Sequence, residues 1–398
     1  MQKGSENLCT FKFYHYSHKL ATSLLETSYN FSYWERKTWL SDVDFTIIGS
    51  GIVGLNCALS LREKYPHSKI LVLEGGLLPQ GASTKNAGFA CFGSVSEILD
   101  DLQRHSEEEV FRLVKQRKEG LDLLRKNLGD EHIGYKNHGG YELFNHKDSA
   151  LFETCLAEKN SINKLLKPLF GKEVFTEKNN TFHFKNIFDK YLYNEFEGQI
   201  NTGKMMWTLL KKIHSKGILV LNNIAVNNFY DKGNQVELQT DYFQLKTNSL
   251  FIATNGFAKE LGLKEVKPAR AQVLITQPIQ QLHIKGVFHL DMGYYYFRNI
   301  NKRILFGGGR NLDFKTEETT EFGETALIQN ELKRILRETI LPHTPHQIDY
   351  SWSGIMGVGE QKKPIVKQLS ENVFCGIRLG GMGIAIGSFI GKKLAGLC

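Results

Sequence analysis

Three glycines at fixed spacing carry the first chemical signal in this chain: Gly49, Gly51 and Gly54, in Gly49-Ser50-Gly51-Ile52-Val53-Gly54. Such a spacing suits the binding of a pyrophosphate. Gly49 permits a tight turn. Gly51 lets a phosphate approach the backbone, and Gly54 lets a helix lie close to its strand. Glu74 follows twenty residues after Gly54. Its carboxylate can accept hydrogen bonds from the hydroxyls of an adenosine ribose.

These residues need elements to position them, and the flanking sequence supplies them. The apolar run 43–48 predicts a strand, 52–61 a helix and 70–73 a second strand ending at Glu74. The glycine turn therefore opens a helix. Free amide groups and the positive end of the helix dipole would face the phosphates.

Two further stretches have the same character. Gly81-Ala82-Ser83-Thr84-Lys85-Asn86-Ala87-Gly88 is small and polar, and can lie flat against a planar ligand while donating amides. It also suits an ordinary turn with Ser83 as a helix N-cap. Near the C-terminus a buried strand at 372–376 enters Arg378-Leu379-Gly380-Gly381-Met382-Gly383-Ile384, followed by a last helix. Two glycine-lined helix starts at opposite ends of one chain imply one extended ligand gripped at two points. A flavin dinucleotide needs both, whereas a nicotinamide cofactor normally needs one.

Length and composition set limits. The 398 residues exceed the usual single domain. The net charge of +8 is dispersed, with no basic run, which argues against a nucleic-acid surface. The cysteines Cys9, Cys57, Cys91, Cys155, Cys375 and Cys398 form no C-x-x-C pair and have no histidines at metal spacing. This predicts a reducing, cytoplasmic setting, no disulfide framework and no metal. No apolar stretch is long enough to predict a membrane span, and residues 1–20 lack the core of a signal peptide.

Along the chain, residues 1–41 form a lead-in whose Tyr33, Trp34 and Trp39 are expected to pack on the nucleotide domain. Helices are expected over 94–129, 148–168, 204–216 and about 320–340. Strands are expected at 140–144, around 182–184, at 218–221, in a hairpin at 226–240, and at 249–254, 268–274, 294–298, 304–309 and 349–354.

Taken together, the stretches 44–54, 81–88, 268–273, 305–309 and 379–384 resemble the FAD-dependent D-amino-acid oxidase superfamily, with glycine, sarcosine and γ-glutamylputrescine oxidases among its members. The resemblance covers about 42–398. It implies an α/β fold: a Rossmann-type FAD-binding domain (42–95, 198–265 and 349–398) with an inserted α+β substrate domain on an antiparallel sheet (96–197 and 266–348). It implies that Gly49, Gly51, Ile52, Val53 and Gly54 take the pyrophosphate and Glu74 the ribose. Ser83, Thr84, Asn86, Ala87 and Gly88 would lie beside the phosphates and ring system. Val226 would meet the adenine, Thr254, Asn255 and Gly256 the pyrophosphate, and Gly380, Gly381, Met382, Gly383 and Ile384 the ribityl chain and pyrimidine end. The implied reaction is oxidation of a C–N bond in a small amine or amino-acid-like substrate, with oxygen or another acceptor reoxidising the flavin.

The chain departs from the amino-acid oxidases at Ser353-Gly354-Ile355-Met356-Gly357. Met356 stands where their carboxylate-binding arginine falls, and a second arginine near Gly381 is absent. No cysteine lies near Met356 to tether flavin, so non-covalent FAD is expected. Tyr295, Arg298, Trp352 and Met356 are the candidates for the substrate pocket, with Arg298 and Arg378 as available cations. Two other readings stay open: flavin chemistry on a modified tRNA base, and a non-catalytic FAD-binding module.

Overall fold

The computed structural model describes residues 30–398, so Cys9 and most of the expected lead-in lie outside the described residues. In chain order, β1 (Val43–Ile48) runs through the glycine turn into α1 (Ile52–Lys64), then β2 (Ile70–Leu73), a short α2 (Ala82–Lys85) and β3 (Phe89–Ala90). Two helices follow, α3 (Val95–Leu102) and α4 (Glu107–Leu128), each opened by a serine capping box, Ser94 with Glu97 and Ser106 with Glu109. Next come β4 (Gly140–Leu143), α5 (Ser149–Phe170), β5 (Phe175–Asn179), β6 (Lys190–Asn194), β7 (Gly198–Gln199) and α6 (Thr202–Ser215). The chain continues through β8 (Leu219–Leu221), β9 (Val226–Asp231), β10 (Val236–Thr240) and β11 (Gln244–Ile252). The remainder is β12 (Lys267–Thr276), β13 (Val287–Leu290), β14 (Tyr295–Ile300), β15 (Arg303–Gly308), α7 (Ala326–Ile335), β16 (Ile348–Val358), β17 (Ile365–Ser370), β18 (Val373–Ile377) and α8 (Gly383–Ala395).

Two large sheets organise these elements. In the first, β18, β11, β1, β2 and β8 lie side by side and parallel, with β17 antiparallel on one edge and the β9–β10 hairpin attached to β11. Its central strands are apolar on both faces, as a doubly covered parallel sheet requires. Helices α1 and α8 share one core on one side, through Val53, Cys57, Ile390 and Leu394. The order is that of a nucleotide fold whose first strand leads into the glycine turn.

The second sheet runs β16-β12-β15-β14-β13-β4-β6-β5. All its pairs are antiparallel except β13 with β4, which are parallel. A tight hairpin can join antiparallel strands, but β4 and β13 come from separate excursions of the chain and meet without one. The expected boundary at 349 grouped β16 with the nucleotide segments. Its ten-residue pairing with β12 puts it in the second sheet instead. The expected strand near 182–184 is absent as well: Phe182 and Phe184 sit in a turn between β5 and β6, their rings packed on Phe288.

The expected packing of Tyr33, Trp34 and Trp39 does not occur. Tyr33 and Trp34 are 68% and 72% exposed, and their rings pack edge-on against each other. Trp39 is 40% exposed. Leu40 packs against the core instead, and the Phe31 ring meets Phe243 edge-on at 5.7 Å.

Candidate active site

The glycine turn folds as its spacing predicts. Gly49 has φ +103°, which excludes most side chains. A Cβ on Gly54 would collide with the carbonyl oxygen of Gly49, so only glycine lets α1 start this close to the turn. Glu74 is buried. Its Oε2 accepts from the Ser50 amide and hydroxyl at 2.9 and 2.7 Å, and its Oε1 accepts from the Gly76 amide at 3.0 Å. The acid therefore clamps the turn to the end of β2 while still facing the cavity.

The 81–88 stretch reaches the same place. Gly81, not Ser83, is the N-cap of α2. Ser83 instead accepts from the Ile52 amide at 2.9 Å, which places its hydroxyl at the N-terminus of α1. Asn86 shapes the exit, with Oδ1 accepting from the Gly88 amide at 2.8 Å and from Thr202 at 3.0 Å. The C-terminal turn has φ +58° at Gly380 and +85° at Gly381 before α8 begins. The Asn255 carboxamide oxygen accepts from the amides of Arg378 and Leu379 at 3.1 and 3.2 Å, tying the end of β11 to this turn.

These pieces line one cavity of about 910 Å³, at the large end for small-molecule sites (roughly 300–1,000 Å³). Gly49, Gly51, Ile52, Val53, Glu74, Ser83, Asn86, Ala87, Gly88, Val226, Thr254 and Asn255 line it, as do residues 380–384. Three of the expected ligand residues do not. Gly54 and Gly256 are buried behind the wall, and Thr84 is exposed, its hydroxyl turned to the carbonyl oxygens of Pro79 and Gly81. Thr254 Oγ1 is buried in the wall without a hydrogen-bond partner. An orphaned hydroxyl between two glycine-lined helix starts fits a bound dinucleotide phosphate.

The far wall belongs to the second sheet. Its register aligns Glu142, His289, Tyr296, Gly307, Val273 and Trp352 in one row across neighbouring strands. Paired residues in a sheet share a face, so this row looks one way. His289, Tyr296 and Val273 line the cavity, together with Tyr294 and Met356.

Of the four expected pocket residues, only Met356 lines it. Tyr295 falls on the opposite face, packed in the core with Phe306 and Phe297, because strand alternation turns it away from Tyr294 and Tyr296. Arg298 is 2% exposed. It donates to the carbonyl oxygens of Ala87, Ile200 and Asn299, and so locks 86–88 to the second sheet. Trp352 lies at the end of the row, its Nε1 donating to Lys85 O at 2.9 Å. Arg378 likewise donates to the carbonyl oxygens of Lys363 and Glu265.

The sequence reading missed several cavity residues. Lys85, Arg117 and Arg310 are its cations without an ion-pair partner among the described residues, and of these Arg117 is buried and donates to the Phe92 carbonyl oxygen. Lys85 lies over Phe322 at 5.0 Å and Arg310 over Phe314 at 4.8 Å. Burial lowers the pKa of Arg310. Arg310 directly follows the glycine run 307–309, and that adjacency was the available signal. Glu97, Asp100, Asp101, Arg117 and Lys362 also line the cavity, and Lys362 bridges Asp100 and Asp101 at 3.0 and 2.8 Å. Nothing in the spacing of α3 marked it as a cavity wall.

A fold of this topology with two glycine-lined helix starts in one cavity defines a flavin dinucleotide oxidoreductase. The chain belongs to the FAD dependent oxidoreductase family (DAO), whose model matches residues 44–397. It is 22% identical over 381 residues to the probable oxidoreductase OrdL of Haemophilus influenzae, covering 90% of this chain and 83% of that protein. Among solved structures it is similar to glycine oxidase from Geobacillus kaustophilus (TM-score 0.72, 16% identity, 89% of this chain and 94% of that one). It is also similar to L-proline dehydrogenase from P. horikoshii (TM-score 0.70, 18% identity, 89% and 93%). At these identities the likeness to the solved structures is one of fold. Among the described residues, no helix is long and apolar enough to cross a membrane.

Proposed function

We propose that this protein oxidises a C–N bond of a small amine or amino-acid-like substrate. One observation supports this most: the dinucleotide cavity continues to a wall of Tyr294, Tyr296, His289, Lys85 and Arg310, where polar groups converge on an otherwise apolar surface. FAD, when bound, supplies the acceptor for a hydride leaving the carbon next to nitrogen. The chain holds it with the turns at 49–54 and 380–384, without a covalent link, and α8 presents its N-terminus to the cavity. Lys85 and Arg310 receive a substrate carboxylate in place of the arginine that Met356 replaces. The aromatic rings of Tyr296 and Phe322 exclude water from the reacting carbon.

The test is spectroscopic. Purified protein is expected to be yellow, and an amine, secondary amine or amino acid from a panel is expected to bleach it without oxygen. A colourless protein that takes up no added FAD would sink this reading, as would a flavin that no member of the panel reduces.

A further inference from the structure

Cys91, Glu197 and His289 come from three separate parts of the chain, yet their Sγ, a carboxylate oxygen and a ring nitrogen all lie within 4.8 Å of one another. All three residues are buried, and Cys91 and His289 line the cavity. The carboxylate of Glu197 is fixed from behind, its Oε1 accepting from the Phe92 amide at 2.9 Å. Its Oε2 stands 3.5 Å from His289 Nε2, a buried nitrogen that makes no hydrogen bond. Phe89 packs its ring edge-on to the imidazole at 5.4 Å and holds it in the wall. An imidazole backed by a carboxylate and open to a binding cavity is the arrangement of a proton acceptor.

We propose that His289, backed by Glu197, takes the proton from the substrate's ammonium group. This role rests on the C–N reading above. With the ring proton on Nε2 toward Glu197, Nδ1 is the basic nitrogen. The ammonium N–H bond breaks, the proton goes to Nδ1, and its electron pair stays on the amine. The free lone pair then forms the C=N bond as a hydride leaves the adjacent carbon for the flavin. The iminium that results is hydrolysed by water to a carbonyl compound and a free amine or ammonia. The new imidazolium charge is balanced by Glu197.

Other groups act on the same ring. Glu97 and Glu142 add their negative fields to that of Glu197. Cys91 stays a thiol, because burial and the Glu197 carboxylate both raise its pKa. Arg298 and Arg117 are the buried cations near this cluster, and Tyr296 faces it from β14. Burial opposes a charge on His289, and the carboxylates more than offset it, so the ring titrates above the ordinary histidine value.

The experiment compares wild type with H289Q, H289N and E197Q, using whichever amine bleaches the flavin, with thermal melting as the check of folding. The anaerobic bleaching rate at pH 7 is expected to fall by about 100-fold or more in both His289 variants. Its pH limb is expected to move up to the titration of the free ammonium, near 10, with the rate recovering within a few-fold on the alkaline plateau. A second readout needs no substrate. In protein labelled with 15N-histidine, the signal missing from H289Q is expected to titrate above 6.5 in wild type and lower in E197Q. A bleached flavin whose limb is unmoved in folded H289Q and H289N overturns this role alone. So does one zinc per chain that is lost in C91A, since it makes the trio a metal site. A flavin that no amine bleaches overturns the C–N reading and this role with it.

Discussion

Asn255 Oδ1 stands 3.1 Å from the Arg378 amide, so one side chain after β11 holds the start of the C-terminal glycine turn. The same oxygen accepts from Leu379. Replacing Asn255 by Ala strands two backbone amides. Each buried orphan costs about 1–3 kcal/mol. FAD affinity of N255A is expected to fall about 10- to 100-fold, at roughly 1.4 kcal/mol per tenfold. Titration of the apoprotein with FAD, followed by quenching of flavin fluorescence, reads this. An unchanged affinity would show that the turn keeps its shape without Asn255.

Glu142 carries a pH dependence. Its carboxyl is buried and is bonded by the amides of Val95 and Ser96 and the hydroxyl of Ser96. Burial pushes its pKa up to about 7, against the hydrogen bonds from Ser96. The folded protein thus holds this proton more tightly than the unfolded chain does. The stability it contributes is complete below about 4.5 and is lost as pH rises to about 7, by about 3 kcal/mol. E142Q keeps the acceptor oxygen and cannot ionise. Its melting temperature is expected to exceed that of wild type above pH 7, with the gap closing toward pH 5. Parallel melting curves across that range would rule the effect out.

If Arg310 receives a substrate carboxylate as proposed, it separates substrates by charge. R310Q is expected to raise KM for carboxylated substrates about 10- to 100-fold, the loss of a charge-assisted bond of roughly 1.5–3 kcal/mol. Amines without a carboxylate should be unaffected. Equal losses for both classes would place Arg310 in the structure of the wall.

Flavin retention is checked by denaturation. Cys91 lies in the cavity wall, but burial keeps it a thiol rather than a thiolate. Acid precipitation is therefore expected to release all the flavin into the supernatant, leaving a chain of unmodified mass. Flavin that stays with the pellet would show a covalent link.

Much of the nucleotide half was legible locally. Glycine positions 49 and 54 answer to backbone conformation and close approach, which neighbouring residues dictate. The alternation of a strand over 294–298 divides its three tyrosines between two faces. It could not say which face met the cavity, and Tyr295 faces the core. Arg298 was an available cation by sequence, open to a structural role as well as a substrate contact, and its acceptors Ala87 and Ile200 lie far away in the chain. The pairing of β16 was equally hidden, since a strand's partner is chosen by long-range register.

The sequence alone determined the two glycine-lined helix starts and, through them, an FAD cradle, because turn geometry and helix dipoles are properties of short segments. Only the tertiary structure decided the far wall. The meeting of Cys91, Glu197 and His289, and the exposure of Lys85 and Arg310 to the cavity, depend on how the second sheet is laid against the first. The partners of Cys91, His289 and Lys85, which are Glu197 for the first two and Phe322 for the third, lie far away in the chain, where no local pattern records them.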